Sequence, residues 1–393
     1  MKKTLLCLGI LSLTLPIVNG CSHHKDPSLK EEVMAFRKAD IMKQAAWAMQ
    51  QTPETITDTT CPRSAGGKHD FYSEGDYWWP DPKNPGGPYI QRDGETNPEN
   101  FVADRHAMIR FSTIVADLAA AYMITHDKKY VTQALRHINA WFVDTATLMN
   151  PNLQFAQAIH GRTKGRGIGI IDTIHLMEVA QAIHLFAEAG LIPPGQLAAI
   201  KSWFGDYVRW MMTSKNGQDE MNAKNNHGTC WVMQVASFAT VNNDTAVLNF
   251  CRNRYKKVLL PHQMAANGSF PRELKRTKPY GYSLFNLDAM ATTCQILSDN
   301  THDLWKYSTP DGRSIKKGLQ YMFPYVKDKS SWPLPQDVMY WKYWPVAQPF
   351  LIFGAVAYHN ENYFQLWKKL KHDLTVHEII RNVPIRHPLI WLK

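Results

Sequence analysis

The sequence predicts an all-α fold, an (α/α)n toroid of about six or seven helical hairpins with long active-site loops. Three observations carry that expectation. From about residue 31 onward, apolar residues recur at helical spacing and no long alternating strand pattern competes. The helical stretches come in pairs joined by turns rich in Asn, Asp, Gly or Pro. Long loops return between the pairs, as if lining one mouth, while the lack of a fixed period argues against a regular solenoid.

Residues 1–21, MKKTLLCLGILSLTLPIVNGC, read as a signal peptide. Lys2 and Lys3 form the basic start and Leu5 to Val18 an apolar stretch too short for a confident membrane span. Gly20-Cys21 resembles a bacterial lipobox, with Cys21 as the lipidated first residue. The expected product is an exported lipoprotein, periplasmic or anchored at the outer membrane, touching a membrane only through Cys21. Residues 22–30 read as a tether and 31–393 as one domain.

Within that domain Phe111, Ile114, Leu118 and Tyr122 mark one apolar helical face, and Leu135, Ile138 and Trp141-Phe142 a second helix after Thr125-His126-Asp127. Further pairs are expected over 172–190 with 194–213, 228–241 with 244–260, 283–298 with 313–326, and 344–359 with 361–371. The long loops are 61–100, 150–171, 214–227 and 261–282.

With 45% hydrophobic and 20% charged residues, the composition is globular, which excludes a disordered, collagen-like or multi-span membrane protein. The formal charge is +10. Removing residues 1–21 takes away two lysines and no acid, leaving 42 basic against 34 acidic residues, or +8. Such a charge favours a polyanionic partner: nucleic acid, an anionic membrane or an acidic polysaccharide. Thirteen Trp suit a sugar-binding groove, although most such rings belong to a core. Cys61, Cys230, Cys251 and Cys294 are too spread for a disulfide framework; Cys230 and Cys294, in apolar helices, read as buried free thiols. Without CxxC or HExxH, no structural or protease-type zinc site is expected.

Five segments hold the chemistry. His69 to Pro82, with Gln91-Arg92-Asp93-Gly94, mixes aromatics, acids and turn formers, and reads equally as a sugar-stacking arm or a packed one. Met149 to Asp172 places Arg162, Lys164 and Arg166 on a glycine-rich loop suited to carboxylates. It is neither a Walker nor a GxGxxG sequence, and Asp172 reads as the N-cap of the next helix. Lys224 to Trp231 sets an Asn-His pair where a polar loop meets an apolar helix. Arg272 to Leu287 puts cations beside Tyr280 and Tyr282, where a neighbouring Arg is expected to draw a phenol toward ionisation. Trp332 to Ala347 is a second aromatic loop, again sugar groove or packing.

Taken together, NNHG (225–228), MNPNLxxAQAIxGRxxGRGIGIID (149–172) and YWWPDP (77–82) resemble the alginate lyase superfamily of α/α toroids, most like polysaccharide lyase family 38 and more distantly family 5. The resemblance covers roughly residues 31–375. It implies a catalytic set of Asn226, His227, Arg276 and Tyr282, with Arg272 as the rival arginine. It implies substrate contacts from Tyr77, Trp78, Trp79, Arg162, Arg166, Arg272 and Tyr280. It further implies cleavage of alginate by β-elimination without metal or cofactor, on an acidic polysaccharide rather than a nucleic acid. Removing a uronate C5 proton builds negative charge on the adjacent carboxylate, so Asn226 and Arg276 would neutralise it. Tyr282 would give a proton to O4, and would also be the base where both groups share a face; His227 would be the base where they do not. Alternatives are a glucuronan lyase, a non-catalytic glycan-binding lipoprotein, and an inverting hydrolase. The last needs two carboxyl groups about 6.5–9.5 Å apart, with Asp76, Asp81, Asp93 and Glu95 as candidates.

Overall fold

Ser28 accepts a hydrogen bond from the Glu31 backbone N–H while the Glu31 carboxylate reaches back to the Ser28 N–H, a reciprocal cap that starts α1 (Leu29–Ala48). The computed structural model describes residues 28–392, and helix therefore begins within the stretch read as a tether. The leader, Cys21 and residues 22–27 lie outside the described residues.

Five successive helix pairs follow in the chain: α2 (Ala103–Thr125) with α3 (Lys128–Phe142), α4 (Leu176–Glu188) then α5 (Pro194–Thr213), and, after the short α6 (Lys215–Met221), α7 (Asn226–Val241) with α8 (Thr245–Arg254); the main packing of α5 is on α7. Next come α9 (Leu260–Gln263), α10 (Pro271–Leu274), α11 (Pro279–Leu297) with α12 (Ile315–Lys327), and α13 (Pro349–Tyr358) with α14 (Glu361–Lys369), before a last short α15 (His377–Arg381). These are the five pairs that the apolar pattern marks out, and α1 packs beside them on α2.

Helix α2 packs on α4, α4 on α7, α7 on α11 and α11 on α13, which makes an inner wall. Its members are apolar nearly all round: in α11 every residue from Pro279 to Cys294 is buried. The outer helices bury one stripe, as in α3, where Tyr130, Val131, Ala134, Ile138, Trp141 and Phe142 face inward. Cys230, Cys251 and Cys294 are buried free thiols, and Cys61 is also free.

At the mouth, β1 (Tyr72–Glu74) runs parallel to β4 (Phe155–Ala158), and β2 (Trp78–Trp79) pairs antiparallel with β3 (Ile90–Gln91). The first sheet binds loop 61–100 to loop 150–171, and the second folds loop 61–100 back on itself. The C-terminal turn Pro388–Trp391 packs against α1, α2, α4 and α13. Glu178 on α4 accepts the backbone N–H groups of Arg386 and His387, and the His387 ring meets Asp117 on α2 at 2.6 Å. These buried contacts hold α15 in the mouth.

Candidate active site

The start of α7 is set by a close backbone approach. A Cβ at Gly228 would collide with the Ala223 carbonyl oxygen, so only glycine lets the helix begin here with Asn226 and His227 turned inward. Buried Glu273, on α10, accepts both the Asn226 backbone N–H (2.7 Å) and its side-chain amide (2.8 Å). One amide hydrogen of Asn226 is thereby used and the other remains. Nδ1 of His227 meets Glu220 at 2.7 Å.

Across the cleft, Arg276 forms a two-pronged pair with Asp93 at 2.5 and 3.0 Å and donates to the Tyr282 hydroxyl at 3.3 Å. Tyr282 stands on the first turn of α11. Asp337, from the second aromatic loop, accepts the Tyr280 and Gly281 backbone N–H groups at the head of that helix. Burial first, with the adjacent Tyr77 hydroxyl, pushes the Tyr282 phenol well above its ordinary value; Lys278 and Arg276 pull it down and do not prevail. The expectation that the arginine would bring this phenol toward ionisation is corrected: desolvation is the larger effect, and Tyr282 rests protonated.

The cavity between these walls is about 340 Å³ and is lined by Tyr77, Trp78, Arg166, Asn226, His227, Arg276 and Tyr282, together with Asp76, Asp93, Gln157 and Arg381. Seven of the eleven residues expected to act on substrate therefore meet in one place. Arg166 donates to the Gln157 carbonyl and amide oxygens at 3.1 and 3.0 Å and makes no salt bridge among the described residues. Gly75 packs against it: a Cβ there would lie 2.9 Å from its Nη2. Arg162 and Arg166 both lie over the Trp78 ring, at 5.1 and 5.8 Å, so this ring is covered by guanidinium rather than bare for a sugar.

Four expected contacts lie elsewhere. Tyr280 is fully buried, donates to the Tyr325 carbonyl and packs against Trp332 and Trp341. Arg272 is exposed and lines a separate cleft beside His262 and Arg313. Trp79 stacks under Arg92 and donates to the Glu95 carbonyl. Arg162 is exposed, donates to the Tyr89 carbonyl, and borders a neighbouring cleft with Arg63 and Lys164. In the loop 332–347, Trp332 and Trp344 are buried and pack, and neither lines the cleft. Asp172 is not a helix cap either; it is buried and takes Ser73 and Gln157 as donors.

Of the four candidate carboxylates only Asp76 and Asp93 line the cleft, and these two do not form a hydrolase pair. Burial would raise Asp76, but Arg105 at 2.7 Å and Arg381 at 2.9 Å outweigh it and hold the group well below the usual range. Burial would likewise raise Asp93, and Arg276 outweighs it. Neither is available as a protonated acid at neutral pH. Glu220, Glu273, Lys278, Glu378 and Arg381 were given no role in the sequence reading. Lys278 lay in plain view within the Arg272–Leu287 segment, whereas Glu378 and Arg381 carry no local signal.

The family model described as alginate lyase matches residues 55–332. The crystal structure of an alginate lyase from Bacteroides ovatus is 31% identical, with 93% of this chain and 96% of that chain covered and a TM-score of 0.79. Alginate lyase A1-III from Sphingomonas species A1 is 16% identical, covering 82% and 88% of the two chains, with a TM-score of 0.51. A histidine-to-alanine variant of A1-III complexed with tetrasaccharide is 16% identical over 84% and 89%, with a TM-score of 0.56. The two A1-III likenesses speak for the toroid fold alone. No curated protein matches the chain.

Proposed function

The chain belongs to the alginate lyase family and is a polysaccharide lyase, and from that premise we propose how its residues divide the elimination. The substrate is alginate. The observation that carries the reading is the convergence of an amide, an imidazole, a guanidinium and a phenol on one cleft beside Arg166, a half-buried cation without a carboxylate partner among the described residues.

Arg166 and Arg276 attract the uronate carboxylate, and the remaining amide hydrogen of Asn226 donates to it as charge builds. Tyr282, protonated at rest, gives its proton to O4. In the mannuronate reaction the C5 proton and O4 share a face, so the same phenol, once ionised, takes the C5 proton and returns it to O4. In the guluronate reaction they lie on opposite faces, and His227 is the base. The Glu220 contact at Nδ1 leaves Nε2 to accept that proton. The C5 electron pair becomes the C4–C5 double bond as the C4–O4 bond breaks.

The test is absorbance of the unsaturated product from purified mannuronan, guluronan and glucuronan. Saturated ends would indicate a hydrolase, and no cleavage a binding protein. Glucuronan cleaved in preference to both alginate polymers would move the substrate to the related polyuronate. The leader and Cys21 support export and a lipid anchor. Fractionation of wild type and Cys21→Ser tests both: equal solubility in the periplasm would remove the anchor, and cytosolic retention of both would remove export.

A further inference from the structure

Helix α10 and the two residues after it divide their side chains between two clefts. Glu273 and Arg276 turn to the catalytic side, where they meet Asn226 and Asp93. Arg272 and Lys275 are exposed and line a second cleft of about 530 Å³ with His262 and Arg313, between Pro261 and Pro271. No carboxylate lines that cleft. The side chains of Arg272 and Lys275 have no hydrogen bond or ion pair with any described residue. Arg313 donates to the Pro261 carbonyl at 3.0 Å and pairs with Asp311 at 2.9 Å, and its Nε is buried without a partner among the described residues.

The charge of the chain is concentrated around this cleft. From Arg252 to Lys278 there are eight Lys or Arg and a single acid, Glu273, so nearly all of the +8 surplus lies in that stretch. Asp299, Asp93 and Glu378 neutralise Arg252, Arg276 and Lys278. Glu273 has both carboxylate oxygens on Asn226 and none on its neighbours Arg272 and Lys275. Two cations kept close together without an acid repel each other, and an anion between them relieves that repulsion.

We propose that this cleft is a second, non-catalytic binding site for a polyuronate strand, in which Arg272 and Lys275 take the carboxylates of sugars beyond those in the catalytic cleft. The proposal rests on the reading of alginate as the substrate. The shape favours a strand over a membrane: the cations line a recess between two prolines, which a single chain enters and a flat anionic bilayer does not fill. The position favours the polymer that is being cut. Lys275 and Arg276 are consecutive, so their α-carbons lie about 3.8 Å apart, and a strand passing Arg276 meets the second cleft next. Exposed ion pairs are individually weak. A strand already held in the catalytic cleft, however, meets the second one at high effective concentration, so modest contacts there tighten binding of a long chain and not of a short one.

The experiment compares full-length wild type, Lys275→Glu and the double variant Arg272→Glu/Lys275→Glu on long mannuronan and on a mannuronate trisaccharide, with melting curves. The double variant is expected to raise KM for mannuronan about tenfold, the value of one charge-assisted hydrogen bond, with kcat nearly unchanged. Lys275→Glu should raise it less and leave trisaccharide turnover as in wild type. The difference on mannuronan should shrink at high salt, where exposed charges are screened. Arg272→Gln/Lys275→Gln should show a smaller effect of the same sign, and carries the test if the charge-reversed variant does not fold. An unchanged KM for mannuronan, or an equal rise for the trisaccharide, would overturn the proposal. Sedimentation with phosphatidylglycerol vesicles separates the other polyanion: loss of vesicle binding in the double variant, with KM for mannuronan unmoved, would assign the cations to a membrane and overturn it as well. Failure of wild type to cut mannuronan or guluronan would sink the substrate reading itself. If wild type cuts mannuronan and the double variant matches its KM, only the present inference fails.

Discussion

Nδ1 of His227 lies 2.7 Å from a carboxylate oxygen of Glu220, whose side chain is 1% exposed. A buried carboxylate at Nδ1 keeps the ring's proton there and its Nε2 lone pair free, the arrangement a general base requires. Glu220→Ala is expected to lower guluronan turnover about ten- to a hundredfold, with a smaller change on mannuronan. His227→Ala should harm guluronan cleavage at least as much as mannuronan cleavage. Initial rates on the two polymers, with circular dichroism to check folding, decide it; the reverse ranking would mean the proton-transfer roles are exchanged.

Arg166 and Arg162 both lie over Trp78, but only Arg166 lines the cleft. Arg166→Ala is expected to raise KM for alginate about tenfold or more, the value of a charge-assisted hydrogen bond, whereas Arg162→Ala should change it by a few-fold at most. Raising salt should weaken wild-type binding and flatten the difference, because exposed uronate charges are screened. Similar KM effects for the two variants would show that the substrate runs along both clefts.

The hairpins were legible because inner and outer helices differ in pattern: Pro279 to Leu297 is weakly polar and buried nearly all round, whereas Lys128 to Phe142 carries one apolar stripe. The loops were legible as site-bearing because they concentrate Trp, Arg and Asn-His. Tyr280 shows where finer reading was available. Residues two apart on a helix point about 200° from each other, so Tyr280 and Tyr282 cannot both face one cleft. Glu378 and Arg381 were out of reach for another reason. Their role depends on Glu178 and Asp117 gripping the segment 386–387 from across the fold, pairings more than two hundred residues apart that leave no mark in local sequence.

Tyr282→Phe removes one hydroxyl and keeps the ring, which is 7% exposed and packed at the head of α11. Folding should survive and turnover on both polymers should fall about 10²–10⁴-fold, the contribution of a placed acid–base group. Melting temperature and product absorbance together check this. A folded variant within a few-fold of wild type would take the proton-donor role away from Tyr282.

Asp288 lies on α11 six residues beyond Tyr282, wholly buried, and accepts the Phe350 backbone N–H at 2.7 Å near the start of α13. Burial pushes its carboxyl from the ordinary 3.8 up to about 8, against the smaller opposing effects of Phe350 and Gln348. The sign follows from linkage: between those two values the folded chain holds a proton that the unfolded chain has lost, so stability falls as pH rises through the window. A salt-bridged carboxylate acts in the opposite sense. Gln348 Oε1, next to Asp288, is buried without a partner. Asp288→Asn keeps the shape, accepts the Phe350 N–H through its oxygen, never ionises, and, with the Gln348 amide turned over, offers its amide hydrogens to Gln348 Oε1. The variant is therefore expected to melt several degrees above wild type at pH 9, with the gap closing toward pH 4. Melting curves from pH 4 to 9 measure it; an Asn variant that melts lower in alkali would mean that Asp288 is ionised and stabilising in the folded wall.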